Sequence, residues 1–290
     1  MNKLVTGDGR THIQSSLMRE SLQDRRVTRK TDNSSDFHIL PDAVLVGIGG
    51  QSIFDRGRDA LLPLVDEIRA LRGQHKMMLG VGGGTRVRHT ISVALDLGLP
   101  IGGIAQLVGA MEELNAVLLN ALLAKDGFIG MPRDHFWELP LYLDVGMVPI
   151  VISIPPYHLW EPPPERGNLP AHGSDFGLFQ LAEVLAMKQL VFVKDEDGLY
   201  TKDPKHDRDA TLIPEITLEE LLASPPPTTI LDRMLFDAWK HARNIERIDI
   251  VNGLVPGRLT RALAGDNAGT VITKARPADT PAGAPQGGAA

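Results

Sequence analysis

The amino-acid sequence predicts a three-layer α/β/α sandwich with a mostly parallel central sheet. Between residues 43 and 272, short apolar runs alternate with longer segments whose apolar positions recur at helical spacing. This alternation is typical of βαβ units, in which right-handed crossovers place helices on both faces of a parallel sheet. The chain has 290 residues, of which 43% are hydrophobic, and this is enough for one large domain of that kind.

Each element follows from its local pattern. Ala43–Ile48 and Lys76–Val81 are short apolar runs that predict buried strands, and the periodicity of Arg58–Leu71 predicts a helix between them. Two more helices are expected over Val87–Leu97 and Ile104–Ala124. The other predicted elements are strands at Val148–Ile154, Leu190–Lys194 and Ile248–Val251, a helix at Leu231–Asn244, and a strand around Val271 and Ile272 that closes the sheet.

The two ends of the chain lack the pattern of a packed core. Residues 1–37 are polar with mixed charges, and they predict a flexible arm, or a helix over Ile13–Leu22 as the alternative. Residues 276–290 are rich in proline, glycine and alanine and predict a disordered tail. The folded domain is therefore expected to span residues 38–275.

Composition excludes several classes of function. The chain has no cysteine, so disulfides, thiolate metal sites and a cysteine nucleophile are excluded. The net charge of −6 provides no general attraction for nucleic acid. No apolar run is expected to be long enough to span a bilayer, and residues 1–16 do not resemble a signal peptide, so a cytoplasmic location without membrane contact is expected.

Two glycine clusters, Gly47–Ser52 and Gly80–Thr85, occur at the ends of the first two predicted strands. Glycine lets a backbone approach an oxyanion closely, and the N-terminus of a following helix offers N–H donors and a positive dipole end. The clusters therefore predict an anion-binding edge, although tight strand-to-helix turns also use glycine. Neither cluster matches GxGxxG or GxxxxGK[ST], so a dinucleotide Rossmann site and a Walker P-loop are not expected.

Charged residues flank these turns. Arg86, Arg88 and His89 follow the second cluster directly, and arginine suits bidentate oxyanion binding, but on a helix the three do not all converge. In the segment Lys194–Pro204 a strand runs into an acidic turn, where the lysine could reach a phosphate and Asp195 or Asp197 could hold Mg²⁺. The proline-rich segment 155–170 is either a ligand-binding loop or a rigid connection.

Four motifs in order resemble the amino acid kinase family: IGGQS, GGGTRVRH, DGLYTKDP and the closing segment 252–272. The resemblance covers roughly residues 38–274 and implies that family's fold and the binding of ATP with Mg²⁺. By position it implies a nucleotide site made of Gly49, Gly50, Gln51, Ser52, Gly82, Gly83, Gly84, Thr85, Arg86, Lys194, Asp197, Gly198, Tyr200, Asp203 and Pro204. Asp175 matches an acidic position near the transferred group, so Asp175 and Lys194 are the catalytic candidates.

Further stretches, among them PPYHLW and VKDEDGLYT, resemble members of this family that store molybdenum in nitrogen-fixing bacteria. That resemblance implies a cytoplasmic hexamer, with a related second subunit type or as a homo-hexamer, that binds ATP with Mg²⁺ and holds molybdate as polyoxomolybdate clusters. His135, His158 and His172 are the candidates for contacts with oxomolybdate, with ordinary loop histidines as the alternative.

The sequence departs from the family pattern at one position that matters for chemistry. The family usually has Lys-x-Gly-Gly at the first glycine cluster, and here the lysine position is Gly47. Glycine carries no charge to offset the charge that develops during phosphoryl transfer, so transfer should be strongly impaired. This leaves three hypotheses: an ATP-binding storage subunit, a kinase that phosphorylates UMP or a similar nucleotide, and an ATP-binding regulatory partner. Whether the chain hydrolyses ATP stays open.

Overall fold

The computed structural model describes residues 3–5, 11–13, 38–153, 173–226 and 230–274. The chain divides into two compact units, Met1–Phe37 and His38–Ala290. In the first unit, β1 (Lys3–Val5) pairs antiparallel with β2 (Thr11–Ile13), which the sequence did not predict. The rest of the helix considered over residues 13–22, the remainder of the arm and the tail 276–290 lie outside the described residues.

The second unit alternates strands and helices along most of its length. Its strands are β3 (Ala43–Ile48), β4 (Lys76–Val81), β5 (Phe128–Gly130), β6 (Val148–Ile152), β7 (Gln189–Lys194), β8 (Leu199–Tyr200), β9 (Leu212–Ile213), β10 (Glu215–Thr217), β11 (Arg247–Asn252) and β12 (Thr270–Thr273). Its α-helices are α1 (Arg58–Leu71), α2 (Thr85–Asp96), α3 (Ile101–Leu123), α4 (Leu139–Asp144), α5 (Ser174–Val184), α6 (Leu218–Ala223), α7 (Arg233–Trp239) and α8 (Arg258–Leu263). Short 3-10 helices cover Phe54–Arg56, Ala124–Asp126 and Arg133–Glu138.

Over the described residues, an eight-stranded sheet has the order β10–β12–β11–β7–β3–β4–β6–β5. Neighbouring strands run parallel except for β11 and β12, which are antiparallel. In the register of the central strands, Gly47 lies opposite Gly80 on one side and Phe192 on the other. The carboxyl ends of β3, β4, β6 and β7 therefore meet at one edge, where open α/β sheets bind ligands.

Helices cover both faces of this sheet and form two hydrophobic cores. On β3, Leu45 packs into the core that α4, α5, α6 and α7 close, whereas Val44 and Val46 pack into the core closed by α1, α3 and α8. Central parallel strands that are covered on both faces consist of nearly continuous apolar residues. For this reason the run AVLVGI predicted a strand correctly. The predicted three-layer sandwich is confirmed.

The ends of some elements differ from the prediction. The helix predicted over Leu231–Asn244 ends at Trp239, because the chain then turns so that the indole N–H of Trp239 donates to the carbonyl of Ile245 at 2.5 Å. The strand β12 lies beside β11 but does not close the sheet, since β10 lies beyond it. Strands of three residues such as β10 and β5 are too short to show a period in the sequence.

Helix α3 corrects one expectation. Together with the turn up to Asp126 it is long and apolar enough to cross a membrane by length and composition alone, although no such segment was expected. It packs on the sheet, however, and its buried polar residues Glu112 and Asn115 bond to Ser153 and Gly82 within the fold. These contacts are those of a helix that belongs to the α/β domain. Its outer face leaves Val117 and other apolar side chains exposed.

Candidate functional site

A cleft of about 720 Å³ opens at the carboxyl edge of β3, β4 and β7. Both glycine turns line it, together with the start of α5 and the end of β7. The structure thus brings together nine residues of the predicted nucleotide and catalytic sets: Gly49, Gly50, Gln51, Ser52, Gly82, Gly83, Gly84, Asp175 and Lys194.

The two glycine turns touch backbone to backbone. A β-carbon on Gly50 would lie 2.2 Å from the nitrogen of Gly84 and 2.7 Å from the carbonyl oxygen of Gly82, which no side chain allows. In the described part of the chain, the N–H groups of Gly83 and Gly84 donate to no protein acceptor. Both glycines line the cleft, so the junction has backbone donors to spare, as an oxyanion site requires.

The first turn of α2 already holds a carboxylate. Asp55 accepts hydrogen bonds from both the backbone N–H and the hydroxyl of Thr85, the first residue of the helix. Gly84 precedes it with φ of +78°, a left-handed conformation in which glycine is favoured, and a β-carbon there would lie 2.7 Å from the carboxylate of Asp55. Asp55 therefore caps the helix and engages Thr85, whereas the N–H groups of Gly83 and Gly84 stay available to an anion in the cleft.

The two arginines after the second glycine cluster lie in different surroundings. Arg88 lines the cleft, and its guanidinium donates to the side-chain oxygen of Gln51 at 3.0 Å. Arg86 instead donates to the side-chain oxygen of Asn115 and is not among the residues lining the cleft. The sequence predicted a basic cluster here. The orientation of the helix shows that, of Arg86 and Arg88, Arg88 is the one available to a ligand in the cleft.

Lys194 and Asp175 form a largely buried ion pair inside the cleft. The ammonium group of Lys194 lies 2.8 Å from both carboxylate oxygens of Asp175. Burial raises the pKa of Asp175 above its ordinary value; the positive charge of Lys194 opposes this rise, and the nearby carboxylate of Asp232 adds to it. Asp232 itself caps α5 by accepting from the N–H groups of Gly173 and Phe176. Both catalytic candidates therefore lie in the cleft.

The turn after β7 contributes different residues from those expected. Five residues of this turn were expected in the nucleotide site but do not line the cleft: Asp197, Gly198, Tyr200, Asp203 and Pro204. Asp197 accepts from the side-chain amide of Asn252 at 3.0 Å, and Gly198 lies so close to Thr270 that a β-carbon would fall 2.1 Å from the threonine hydroxyl. These contacts tie the turn to β11 and β12.

Two further residues of the same turn were expected less specifically or not at all. Asp195, a possible Mg²⁺ ligand from the sequence, lines the cleft and pairs with Arg56, which also lines it. Lys205 lines the cleft and lies 3.0 Å from the carboxylate of Glu196. Arg56 and Lys205 escaped the sequence analysis because neither stands in a recognisable motif.

Charges of both signs line the cleft. The cations are Arg56, Arg88, Lys194 and Lys205, and the carboxylates are Asp175, Asp195 and Asp232. Because carboxylates repel a polyanion, a ligand with several negative charges fits this lining better when it brings a divalent cation.

Of the three candidate histidines, the structure describes His135. His158 and His172, together with the proline-rich segment 155–170, lie outside the described residues. His135 lies in the 3-10 helix Arg133–Glu138, exposed, with its ring nitrogen 2.9 Å from the carboxylate of Glu138. Among residues 38–153, 173–226 and 230–274, no group of three or more histidine and carboxylate side chains is arranged to hold a metal ion.

The environment of Gly47 is closed by apolar side chains. A β-carbon on Gly47 would lie 2.9 Å from a ring carbon of Phe192 and 3.0 Å from a methyl carbon of Leu178. Gly80, opposite it on β4, is crowded by the same leucine at 2.3 Å. Leu178 thus fills the volume that longer side chains at either strand position would need.

Comparisons with known proteins agree with this architecture. Residues 42–244 match the sequence profile of the amino acid kinase family. The beta subunit of the molybdenum storage protein of Azotobacter vinelandii is 46% identical over 257 residues, which cover 89% of this chain and 95% of that protein. A uridylate kinase of Methanothermobacter thermautotrophicus is 28% identical over 236 residues, or 79% of this chain and 98% of that protein.

Solved structures give the same fold. The crystal structure of uridylate kinase from Archaeoglobus fulgidus superposes with a TM-score of 0.63 at 21% identity, covering 79% of this chain and 99% of that chain. The UMP kinase of Bacillus anthracis superposes with a TM-score of 0.60 at 17% identity, covering 81% of this chain and 97% of that chain. At these identities the likeness shows a shared fold.

Proposed function

The chain belongs to the amino acid kinase family, and from this premise we propose that it is an ATP-binding subunit of an oligomer that stores molybdenum as oxomolybdate. The observation that carries the proposal is the junction of two glycine turns, whose Gly83 and Gly84 N–H groups have no acceptor among the described residues, in a cleft that Lys194 also lines. It occurs in a chain 46% identical to a molybdenum storage protein subunit.

The lining of the cleft fits a nucleotide triphosphate with its metal ion. The N–H groups of Gly83 and Gly84 and the guanidinium of Arg88 are the donors for phosphate oxygens, with Lys194 as a further cation. Mg²⁺ usually binds through one or two carboxylates together with substrate phosphates, and Asp195 is the candidate carboxylate. When bound, the ion would neutralise part of the phosphate charge.

We further propose that nucleotide binding outweighs phosphoryl transfer in this chain. Gly47 carries no charge, and Leu178 fills the space beside it, so no cation approaches the phosphates from that position. The alternative function, phosphorylation of UMP, is favoured only by relatives such as the uridylate kinase at 28% identity. An assay of UMP phosphorylation with MgATP separates the two, because a storage subunit should show no UMP-dependent turnover.

Storage requires more donors than this cleft provides. A polyoxomolybdate cluster carries several negative charges, and a chain with net charge −6 does not attract such a guest over a distance, so local groups must bind it. We propose that His158, His172 and His135 supply part of these contacts at a cavity shared between subunits. This shared cavity would belong to a cytoplasmic hexamer with a related second subunit type.

An exposed apolar surface supports assembly. Leu114, Val117 and Leu118 on the outer face of α3 are exposed, as are Leu141 and Trp137, the latter at 91%. Exposed apolar residues of this size are typical of surfaces that another subunit covers. Gel filtration with light scattering tests whether the chain assembles.

The decisive experiment is elemental analysis of the purified oligomer after growth with molybdate. A storage subunit should carry many molybdenum atoms per oligomer, and the combined His158→Ala and His172→Ala variant should carry fewer while binding MgATP normally. Molybdenum at background level in an oligomer that binds MgATP would instead indicate an ATP-binding regulatory partner. Calorimetry that detects no MgATP binding at all would refute the nucleotide part of the proposal.

A further inference from the structure

A fully buried carboxyl group lies behind the second glycine turn. Glu112, in the middle of α3, has no exposed surface. Its carboxylate accepts from the backbone N–H of Ser153 at 2.9 Å and from the Ser153 hydroxyl at 2.7 and 2.8 Å, and the side chain of Ser174 also bonds to it. All these partners are neutral, whereas the buried carboxylate of Asp249 is paired with Arg247.

The side chain of Glu112 lies next to two residues that line the cleft. The side-chain carbon Cγ of Glu112 lies 3.4 Å from the position that a β-carbon on Gly83 would occupy, and Gly83 lines the cleft. Ser174, its other contact, lines the cleft as well. A charged ligand on the donors of Gly83 is therefore only a few atoms from the Glu112 carboxylate.

The charges around Glu112 leave it without a compensating cation in the described part of the chain. From α5 it faces Asp175, whose negative charge is offset by Lys194 of β7, and Asp232 lies beyond that pair. From α2, Arg86 is engaged with Asn115 on α3 itself. The end of β6 and the glycine turn contribute neutral groups. Among the described residues, no neighbouring positive charge therefore holds the carboxyl in its ionised form.

Burial is consequently the main influence on this group. It raises the pKa of Glu112 to about 7, with Asp175 adding to the rise and the hydrogen bonds from Ser153 and Ser174 opposing it. A further negative charge about 8 Å away, at an effective dielectric constant of about 20, raises the pKa of a carboxyl by about 1.5. An anion bound at Gly83 should therefore convert a partly ionised carboxyl into a protonated one.

We propose that Glu112 couples the binding of an anionic ligand in the cleft to the uptake of one proton from solution. The proton binds to a carboxylate oxygen of Glu112, which can then donate to a serine hydroxyl and still accept from the N–H of Ser153. The charge of Glu112 thus adjusts to the ligand. The inference rests on the proposed function only in requiring that the cleft binds a phosphate compound.

Calorimetry with MgATP measures this coupling directly. Titrations at pH 7 in buffers with different ionisation enthalpies give the number of protons taken up per bound MgATP, including those of the nucleotide itself. We expect wild-type protein to take up about half a proton more than the Glu112→Gln variant, because about half of the molecules are ionised at a pH equal to the pKa. At pH 5.5 the difference should nearly vanish, since the group is then protonated beforehand.

Two further variants make the test specific. Glu113→Gln makes the same chemical change at the next residue of α3, which is exposed, and this variant should behave as wild type. Ser153→Ala removes one hydrogen bond that favours the ionised form, so the pH of maximal proton uptake should rise, which a purely structural role does not predict.

The possible outcomes separate this inference from the proposed function. Equal proton uptake by wild type and Glu112→Gln, with MgATP bound by both, overturns the coupling and leaves the nucleotide site intact. An unchanged pH of maximal uptake in Ser153→Ala also overturns it, and this arm serves if Glu112→Gln does not fold. Failure of both wild type and Glu113→Gln to bind MgATP overturns the proposed nucleotide site and the coupling together.

Discussion

Replacement of Gly50 by alanine should open the junction of the two glycine turns. The new methyl group would lie 2.2 Å from the nitrogen of Gly84 and 2.7 Å from the carbonyl carbon and oxygen of Gly82. These are backbone atoms, so no side chain can rotate away to relieve the contact. One turn must instead move from the other, and the free N–H groups of Gly83 and Gly84 move with it.

The size of the effect follows from that distance. Ordinary contacts of a β-carbon begin at 3.4 Å, so the turns must separate by about 1.2 Å along this direction, which is the difference between 3.4 and 2.2 Å. Displacing binding groups by about 1 Å can weaken their function about a hundredfold. Overpacking of this kind costs about 1–3 kcal/mol of the free energy of unfolding.

Calorimetry with MgATP and urea unfolding, applied to the same preparations, test this reasoning. We expect Gly50→Ala to bind MgATP about a hundredfold more weakly than wild type while remaining folded at 25 °C. The control is Gly103→Ala in α3, where the methyl group would meet its nearest neighbour at an ordinary 3.5 Å. That variant should bind normally and gain about 0.5–1 kcal/mol of stability, because alanine favours helices over glycine. Wild-type affinity and stability in Gly50→Ala would show that the junction does not form the binding site.

Three other substitutions test neighbouring parts of the cleft. Gly47→Lys combined with Leu178→Ala should raise ATP hydrolysis, measured as phosphate release, at least about tenfold. Gly47→Lys alone should not, because its side chain lacks room beside Leu178. Equal turnover in the single and double variants would contradict the steric role of Leu178. Lys194→Met should lower the free energy of unfolding by about 3 kcal/mol at pH 7, because Asp175 loses its partner. The loss should be smaller near pH 5, where the Asp175 carboxyl is more often protonated. An equal loss at both pH values would argue against the ion pair. The pKa of Glu112 in the folded state lies above the ordinary value, so the free energy of unfolding of the wild type should fall as pH rises from about 4.5 to 7. In urea titrations of Glu112→Gln, this fall should be smaller by up to about 3 kcal/mol. Parallel pH profiles of the two proteins would contradict the buried charge.

Local patterns were sufficient to predict the main elements. Ala43–Ile48, Arg58–Leu71 and Lys76–Val81 have the predicted bounds, because a doubly covered strand and an amphipathic helix each leave a period that a short window shows. The helix predicted over Leu231–Asn244 was too long, since its end depends on the contact of Trp239 with Ile245. A contact of that kind leaves no trace in the periodicity of the segment.

The candidate site divides in the same way. The glycine turns and Lys194 could be predicted, because glycine after a strand and lysine at a strand end have chemical meaning by themselves. The exclusion of Arg86 from the cleft could not be predicted, since it depends on a hydrogen bond to Asn115, 29 positions away along the chain. The neutral surroundings of Glu112 could not be predicted either, because this residue lies in a long apolar helix with no motif around it.

By itself the sequence determined the α/β class, the position of the glycine-rich turns and the membership of the amino acid kinase family, because these depend on residue types at short spacing. Only the tertiary structure decided that Gly50 meets Gly84, that Asp55 occupies the start of α2 and that Leu178 fills the space beside Gly47. Each of these contacts joins segments that the sheet order brings together from distant parts of the chain. Burial then sets their energetics: it raises the pKa of the Glu112 carboxyl to about 7, because water is excluded and no cation among the described residues replaces it.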